Sequence, residues 1–155
     1  MEKTNVMRIL DQKKIKYNPY YYETSEAVSG DVVALMIGKD ENKVFKTLVT
    51  VSSSNRYFVF VVPVNKELNL KKAAQAVNEK SIQMIKSKDL LELTGYVHGG
   101  CSPIGMKKFF RTTIHSSAKE QENIIFSAGR IGFQVELNIN DLSKLIKFEL
   151  KDLVD

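Results

Sequence analysis

Between Gly99 and Gly105 the chain reads Gly-Gly-Cys-Ser-Pro-Ile-Gly, and residues 95–105 hold four of its eight glycines. Glycine admits positive φ and carries no Cβ, so successive backbone N–H groups can converge on an anion or a carbonyl oxygen. Such a nest serves as an oxyanion hole or a phosphate cradle. The same composition also makes a plain tight connection between elements. Met106 stands where a Walker loop needs its lysine, and no Gly-x-Gly-x-x-Gly is present, so neither nucleotide-binding fingerprint applies. Cys101 in this loop invites a nucleophile reading with His98 as its base. Loop residues three apart rarely meet in that geometry, so a small, partly apolar loop residue is the plainer reading. One cysteine and two histidines at these spacings make no metal site, and His115 falls in a polar turn.

Lys46 is a second candidate. It interrupts Val44-Phe45-Lys46-Thr47-Leu48-Val49, a run whose neighbours ask for burial. Strand periodicity places Lys46, Leu48 and Thr50 on one face and Phe45, Thr47, Val49 and Val51 on the other. A lysine facing a pocket offers positive charge to a phosphate or carbonyl oxygen; one at a strand end can also reach out to water. Ser127-Ala128-Gly129 adds a hydroxyl and a glycine closing another strand.

These residues need elements to hold them. Thr4 caps a predicted helix through about Lys16, and Asp31 to Ile37 reads as a helix stopped by Gly38. Val44–Val51 and Tyr57–Val64 read as an antiparallel hairpin around Ser52–Asn55. Asn69 caps a helix with Leu70, Ala73, Ala74 and Val77 on one side. Ser81–Ile85, Phe109–Ile114, Asn123–Ser127 and Phe133–Leu137 read as strands, Ser87–Leu93 as a short helix, and Asn140 as the cap of a last helix. Helices and strands intermingle without a repeating βαβ pattern. The expectation is one α+β domain, residues 1–155, with a curved, barrel-like mixed sheet flanked by helices.

The 155 residues are 43% hydrophobic and 26% charged, which argues against disorder and against a membrane protein. The lone cysteine and the absence of a secretory signal point to a reducing, cytoplasmic setting. Net charge is +2 over residues 1–65, +5 over 66–111 and −2 over 112–155. A basic middle third suits a polyanion such as RNA, with Lys71, Lys72, Lys107 and Lys108 as candidate phosphate contacts. It also suits a merely solvated lysine-rich face.

Phe45-Lys46-Thr47-Leu48-Val49, Val62-Pro63-Val64, Thr94-Gly95-Tyr96-Val97, Gly99 to Lys108 and Ser127-Ala128-Gly129-Arg130-Ile131-Gly132 occur in this order. In that combination the chain closely resembles the bacterial YbaK/EbsC family of free-standing Cys-tRNA(Pro) deacylases, relatives of the editing domain of prolyl-tRNA synthetases. The resemblance implies hydrolytic removal of cysteine from proline tRNA, with aminoacyl-tRNA as substrate, prolyl-tRNA synthetase as partner, and neither cofactor nor membrane. It implies that Lys46 and Gly99 act at the ester. Tyr22 (or Tyr20), Thr47, Gly100, Cys101, Ser102, Pro103, Ser127, Gly129 and Gln134 would line the pocket, with backbone N–H groups of the Gly99–Pro103 loop on the ester carbonyl. The substrate's own thiol, rather than a protein nucleophile, would attack. Gln134 stands where some members carry aspartate; it keeps hydrogen bonding and loses the charge. The alternatives are a non-catalytic aminoacyl-tRNA or synthetase-binding module, and a deacylase of another mischarged tRNA such as Ala-tRNA(Pro).

Overall fold

Side-chain caps start the helices that frame the molecule. In the computed structural model, which describes residues 2–155, the Thr4 hydroxyl accepts from the Met7 N–H at 3.3 Å and opens α1 (Asn5–Gln12). Its buried stripe is Val6, Met7 and Leu10. The helix stops short of Lys16 because Lys14 takes φ of 58° and the Ile15 N–H turns back to Leu10 O at 3.0 Å. Asn69 Oδ1 accepts from both Lys71 and Lys72 N–H at 3.0 Å and opens α3 (Leu70–Ala76). Gly38, at φ 69°, ends α2 (Gly30–Ile37).

The strands are β1 (Asn18–Tyr21), β2 (Phe45–Ser52), β3 (Tyr57–Pro63), β4 (Ile82–Met84), β5 (Arg111–His115), β6 (Asn123–Ser127), β7 (Phe133–Asn138) and β8 (Phe148–Lys151). Short helices α4 (Leu90–Thr94), α5 (Ala118–Gln121) and α6 (Ile139–Leu142) lie between them. The predicted hairpin is present, with Phe45 opposite Pro63 and Val51 opposite Tyr57. Asn138, not Asn140, caps α6: its Oδ1 accepts from the Asn140 N–H at 2.8 Å. Strand β8 has no counterpart among the expected elements.

The expected single barrel-like sheet is replaced by two sheets, and neither is closed. One is antiparallel in the order β1-β7-β6; the other is mixed in the order β4-β2-β3-β5-β8. Both β3–β5 and β5–β8 are parallel. The sheets meet at a single bridge between Val44 and Ile125, where the Ile125 N–H donates to Lys43 O at 2.9 Å. Between them lies the main core, including Phe45, Val49, Val59, Val61, Ile114, Phe126, Val135 and α1's apolar stripe. A second core forms under α3 from Phe58, Phe60, Val62, Ala73, Val77 and Leu153. Among the described residues no helix is long and apolar enough to cross a membrane.

The C-terminal residues are tied to α3. Lys72 Nζ donates to Asp152 Oδ2 at 2.8 Å and to Val154 O at 2.5 Å, Asn69 Nδ2 donates to Asp155 Oδ1, and Leu68 bridges Val154. Lys72 is therefore engaged within the fold. His115, 12% exposed, accepts the Leu153 N–H on Nδ1 at 3.1 Å, which requires that nitrogen to be unprotonated.

Burial holds the His115 pKa below its ordinary 6.5, with the nearby Asp152 carboxylate opposing and the Lys72 charge reinforcing. Because the folded value is depressed, the unfolded chain binds the proton more readily. Stability from this group is thus complete above 6.5 and is lost as pH falls through the window below it. Melts taken from about pH 8 to about pH 5 should show wild type losing Tm relative to His115→Asn, which keeps an acceptor and does not titrate. Parallel curves for the two proteins would remove the role.

Candidate functional site

Strand β2 is paired along its whole length with β3, yet on its other edge β4 covers only Thr50 to Ser52. At its start that edge is taken by β6, through Val44 and Ile125. Residues 45–48 are left facing a gap. Lys43 O accepts from Ile125 and Val49 O from Ile85 on this edge, while Val44 O accepts from Val64 on the β3 side. By strand alternation the backbone of Thr47 points into the gap with no strand opposite. The Thr47 hydroxyl is buried and has no partner among the described residues. Side chains from both faces of β2 consequently line one cavity of about 360 Å³.

Its wall draws together distant segments. Phe45, Lys46, Thr47 and Leu48 come from β2; His98, Gly99 and Cys101 from the glycine loop; Ser127 from β6 and Gln134 from β7. Ser127 and Gln134 face each other across the β6–β7 register. Gln134 is 5% exposed and lines the cavity, where its amide brings both a donor and an acceptor. Ser29, Gly30 and Val33 of α2's start and Leu90 of α4 complete the wall. Sequence reasoning missed these, although Gly30 had a signal to give. A Cβ there would lie 2.4 Å from Val64 Cγ1, so only glycine lets α2 approach the end of β3.

Lys46 is neither buried nor free in water. Its side chain is 27% exposed, and its Nζ lies 3.5 Å from Oε1 of Glu67, itself 93% exposed. A pair this open and this long contributes little, so the ammonium can exchange Glu67 for a ligand. Asp31, in the first turn of α2, has its carboxyl held below the usual range by a hydrogen bond from Ser29, with the Lys46 charge adding.

The glycine loop is shaped by internal bonds. The Tyr96 hydroxyl donates to Ile104 O, the Gly100 N–H to Val97 O at 2.9 Å, and the Ile104 N–H to Ser102 Oγ at 3.3 Å. Gly100 and Ile104 therefore spend their N–H groups inside the loop, leaving Gly99 and Cys101 as the residues that face the cavity. Ser102 and Pro103 are buried behind them. Gly99 holds φ of 86°, and a Cβ on it would sit 2.6 Å from that of Ala27. Burial pushes the Cys101 thiol up to about 12, so it stays protonated at neutral pH.

Some expected residues lie elsewhere. Gly129 borders a separate depression with Thr94 and Tyr96, and its N–H donates to Ser127 Oγ at 3.1 Å. Tyr22 continues β1, its N–H donating to Gly132 O, and is not part of the cavity wall. Tyr20 packs against Ala34, Val44 and Ile125, and its hydroxyl donates to Glu136 Oε1 at 2.5 Å. A larger open depression of about 740 Å³ is lined by Glu136, Asp11 and Asp141 and includes none of the expected site residues. Among the described residues no three His, Cys, Asp or Glu side chains come together as a metal site.

The fold is that of small editing domains. Over the full chain and 99% of the other, it superposes with a TM-score of 0.83 and 19% identity on a crystal structure described as a trans-editing enzyme for prolyl tRNA synthetase, a provisional title. Residues 24–145 match the aminoacyl-tRNA editing domain, and the chain belongs to that family. It is 46% identical over 137 residues (88% of this chain, 84% of the other) to EbsC of Enterococcus faecalis, provisionally named a Cys-tRNA(Pro)/Cys-tRNA(Cys) deacylase. It is 30% identical over 99 residues to a proline–tRNA ligase of Fervidobacterium nodosum, covering 64% of this chain and 17% of the ligase.

Two substitutions separate loop geometry from thiol chemistry. Cys101→Ser should keep turnover of an aminoacyl-tRNA ester within a few-fold, since a protonated buried thiol is no nucleophile; a loss of ~10³-fold would make Cys101 catalytic. Gly99→Ala adds a Cβ at positive φ against Ala27, costing roughly 1–2 kcal/mol in backbone strain alone. Its melt should fall modestly and its deacylation rate at least ~tenfold; unchanged rates would take the loop out of the reaction.

Proposed function

We propose that this protein is a trans-editing hydrolase that removes cysteine from mischarged Cys-tRNA(Pro). The observation that carries the reading is the convergence of Lys46, Thr47, Gly99, Cys101, Ser127 and Gln134 on one cavity. The 46% identical relative, provisionally named a deacylase of Cys-tRNA(Pro) and Cys-tRNA(Cys), supports the substrate class. The volume of about 360 Å³ is at the small end of the roughly 300–1,000 Å³ common for small-molecule sites, enough for an aminoacyl end but not for an RNA stem.

Cysteine and proline are close in size, and a synthetic site cannot reject one by sterics alone. The editing cavity needs a chemical test, and the substrate thiol supplies it. The substrate sulfur bonds to its own ester carbonyl carbon, the bond from that carbon to the ribose 3′ oxygen breaks, and the thiol proton ends on the departing oxygen. Water then opens the resulting four-membered thioester to free cysteine. In this scheme the protein holds the ester in the reactive bend rather than attacking it. Lys46 steadies the terminal adenosine and the charge that develops on the ester, Gly99 and Cys101 present loop backbone to the carbonyl, and Ser127 and Gln134 bound the acyl group. Prolyl-tRNA synthetase is the partner that would deliver the tRNA, and the reaction places the protein with the translation machinery of the cytoplasm.

Lys46→Ala should lose at least ~2 kcal/mol of transition-state stabilisation, about thirtyfold in rate, while its melt moves little because the side chain holds no core together. Lys46→Arg should recover only part of the rate, since a planar fork does not replace a point charge. The assay is loss of cysteine from Cys-tRNA(Pro) beside Ala-tRNA(Pro) and other charged tRNAs. Wild-type turnover by the alanine variant would remove Lys46 from the site, and no turnover of any charged tRNA would leave a binding module.

A further inference from the structure

The cavity wall has an unusual charge balance for a site that receives an amino acid. Its lining includes the Lys46 ammonium and His98, and no carboxylate among the described residues. The titratable groups facing it from each packed element are few. Lys46 comes from β2 and His98 and Cys101 from the loop, while Asp31 at the start of α2 and Glu67 after β3 act on Lys46 from outside the wall. Glu67 stands in solvent at the mouth, Asp31 is hydrogen-bonded by Ser29, and neither lines the wall; Glu136, two residues along β7 from Gln134, is occupied by the Tyr20 hydroxyl and borders the other depression. The Thr47 backbone contributes one N–H and one C=O to the gap, which carry no net charge. Cys101 stays neutral, and His98 brings no negative charge.

An α-ammonium in this cavity would meet no carboxylate in the wall and would lie near the like charge of Lys46. A free amine fares better. The Gln134 amide offers one face that accepts and one that donates, and the Thr47 hydroxyl is buried without a partner. A neutral amine can answer both kinds of group, whereas an ammonium only donates. A hydroxyl answers both as well.

We propose that the cavity selects acyl esters with an uncharged α-substituent: it binds the aminoacyl ester as the free amine, and it also accepts and hydrolyses the corresponding α-hydroxyacyl ester. This rests on the deacylase reading. The α-hydroxy substrate retains the thiol, so the same bonds form and break: sulfur to carbonyl carbon, carbonyl carbon from 3′ oxygen, the thiol proton to that oxygen, then opening by water. Gln134 is the specificity-determining residue, because it puts an amide where a carboxylate would favour the ammonium.

The test uses two stable 3′-amides of 3′-amino-3′-deoxyadenosine, one carrying cysteine and one its α-hydroxy counterpart, bound to the wild-type protein by calorimetry. α-Amino groups next to an amide titrate at roughly pH 7.7–8. Between about pH 6 and about pH 8.5 the Kd of the amine compound should fall at least ~tenfold, while that of the hydroxy compound stays within about twofold. Gln134→Asp, checked by its melt, should flatten or reverse the amine's pH dependence and weaken the hydroxy compound. Equal or tighter binding of the amine at the acid end by the wild type would overturn the proposal and leave the deacylase reading intact. Binding of neither compound would overturn the deacylase reading and this proposal together. In parallel, tRNA carrying the α-hydroxy acyl group should be deacylated within about tenfold of Cys-tRNA(Pro); its survival beside rapid loss of cysteine would sink the second half of the proposal.

Discussion

The molecule depends on one strand edge left incompletely paired. A buried strand normally surrenders every N–H and C=O to a neighbour, because an unmet backbone group in a dry interior is costly. Strand β2 satisfies this along β3 and departs from it on the other side, where β4 joins late and β6 touches only at Val44. The opening between those neighbours is the cavity. Its floor is backbone held straight by a full-length hairpin, so the site sits on a rigid element and borrows its adaptable polar groups from Thr47, Ser127 and Gln134.

Around this opening the packing is close. Gly30 lets α2 press against Val64, Gly99 lets the loop press against Ala27, and Tyr96 fastens the loop to Ile104 from behind. These contacts are apolar or internally hydrogen-bonded and leave little slack. The charged groups at the mouth behave differently: Glu67 is almost wholly solvated, and its pairing with Lys46 is long. The result is stiff walls and a loosely neutralised cation, which suits a site that must hold an ester in a strained bend while releasing products readily.

Much of this was legible in the residues. Caps at Thr4 and Asn69, the stop at Gly38 and the alternating hairpin are local devices, and local sequence announces them. The out-of-place Lys46 and the glycine loop marked the site for the same reason: each breaks a local rule. What stayed hidden depends on distant pairing. Nothing near Phe148 announces β8, whose order comes from lying parallel to β5, and the split into two sheets is decided by where β6 meets Val44. The tyrosines illustrate the limit well. The resemblance implied a wall for the substrate, but Tyr20 is turned under α2 by its packing on Ile125 and its bond to Glu136.

The tie between the last residues and α3 bears on the order in which the chain can be assembled as it is made. The β2–β3 hairpin is local and can form once about twenty residues are available, on the microsecond scale of hairpins generally. The face of α3 is another matter. Leu153 and Val154 complete its apolar cluster, and β8 closes the parallel edge beside β5. Until residues 153–154 leave the ribosome, Phe58, Phe60 and Val62 lack part of their cover, so an apolar seam stays open well after the hairpin has formed.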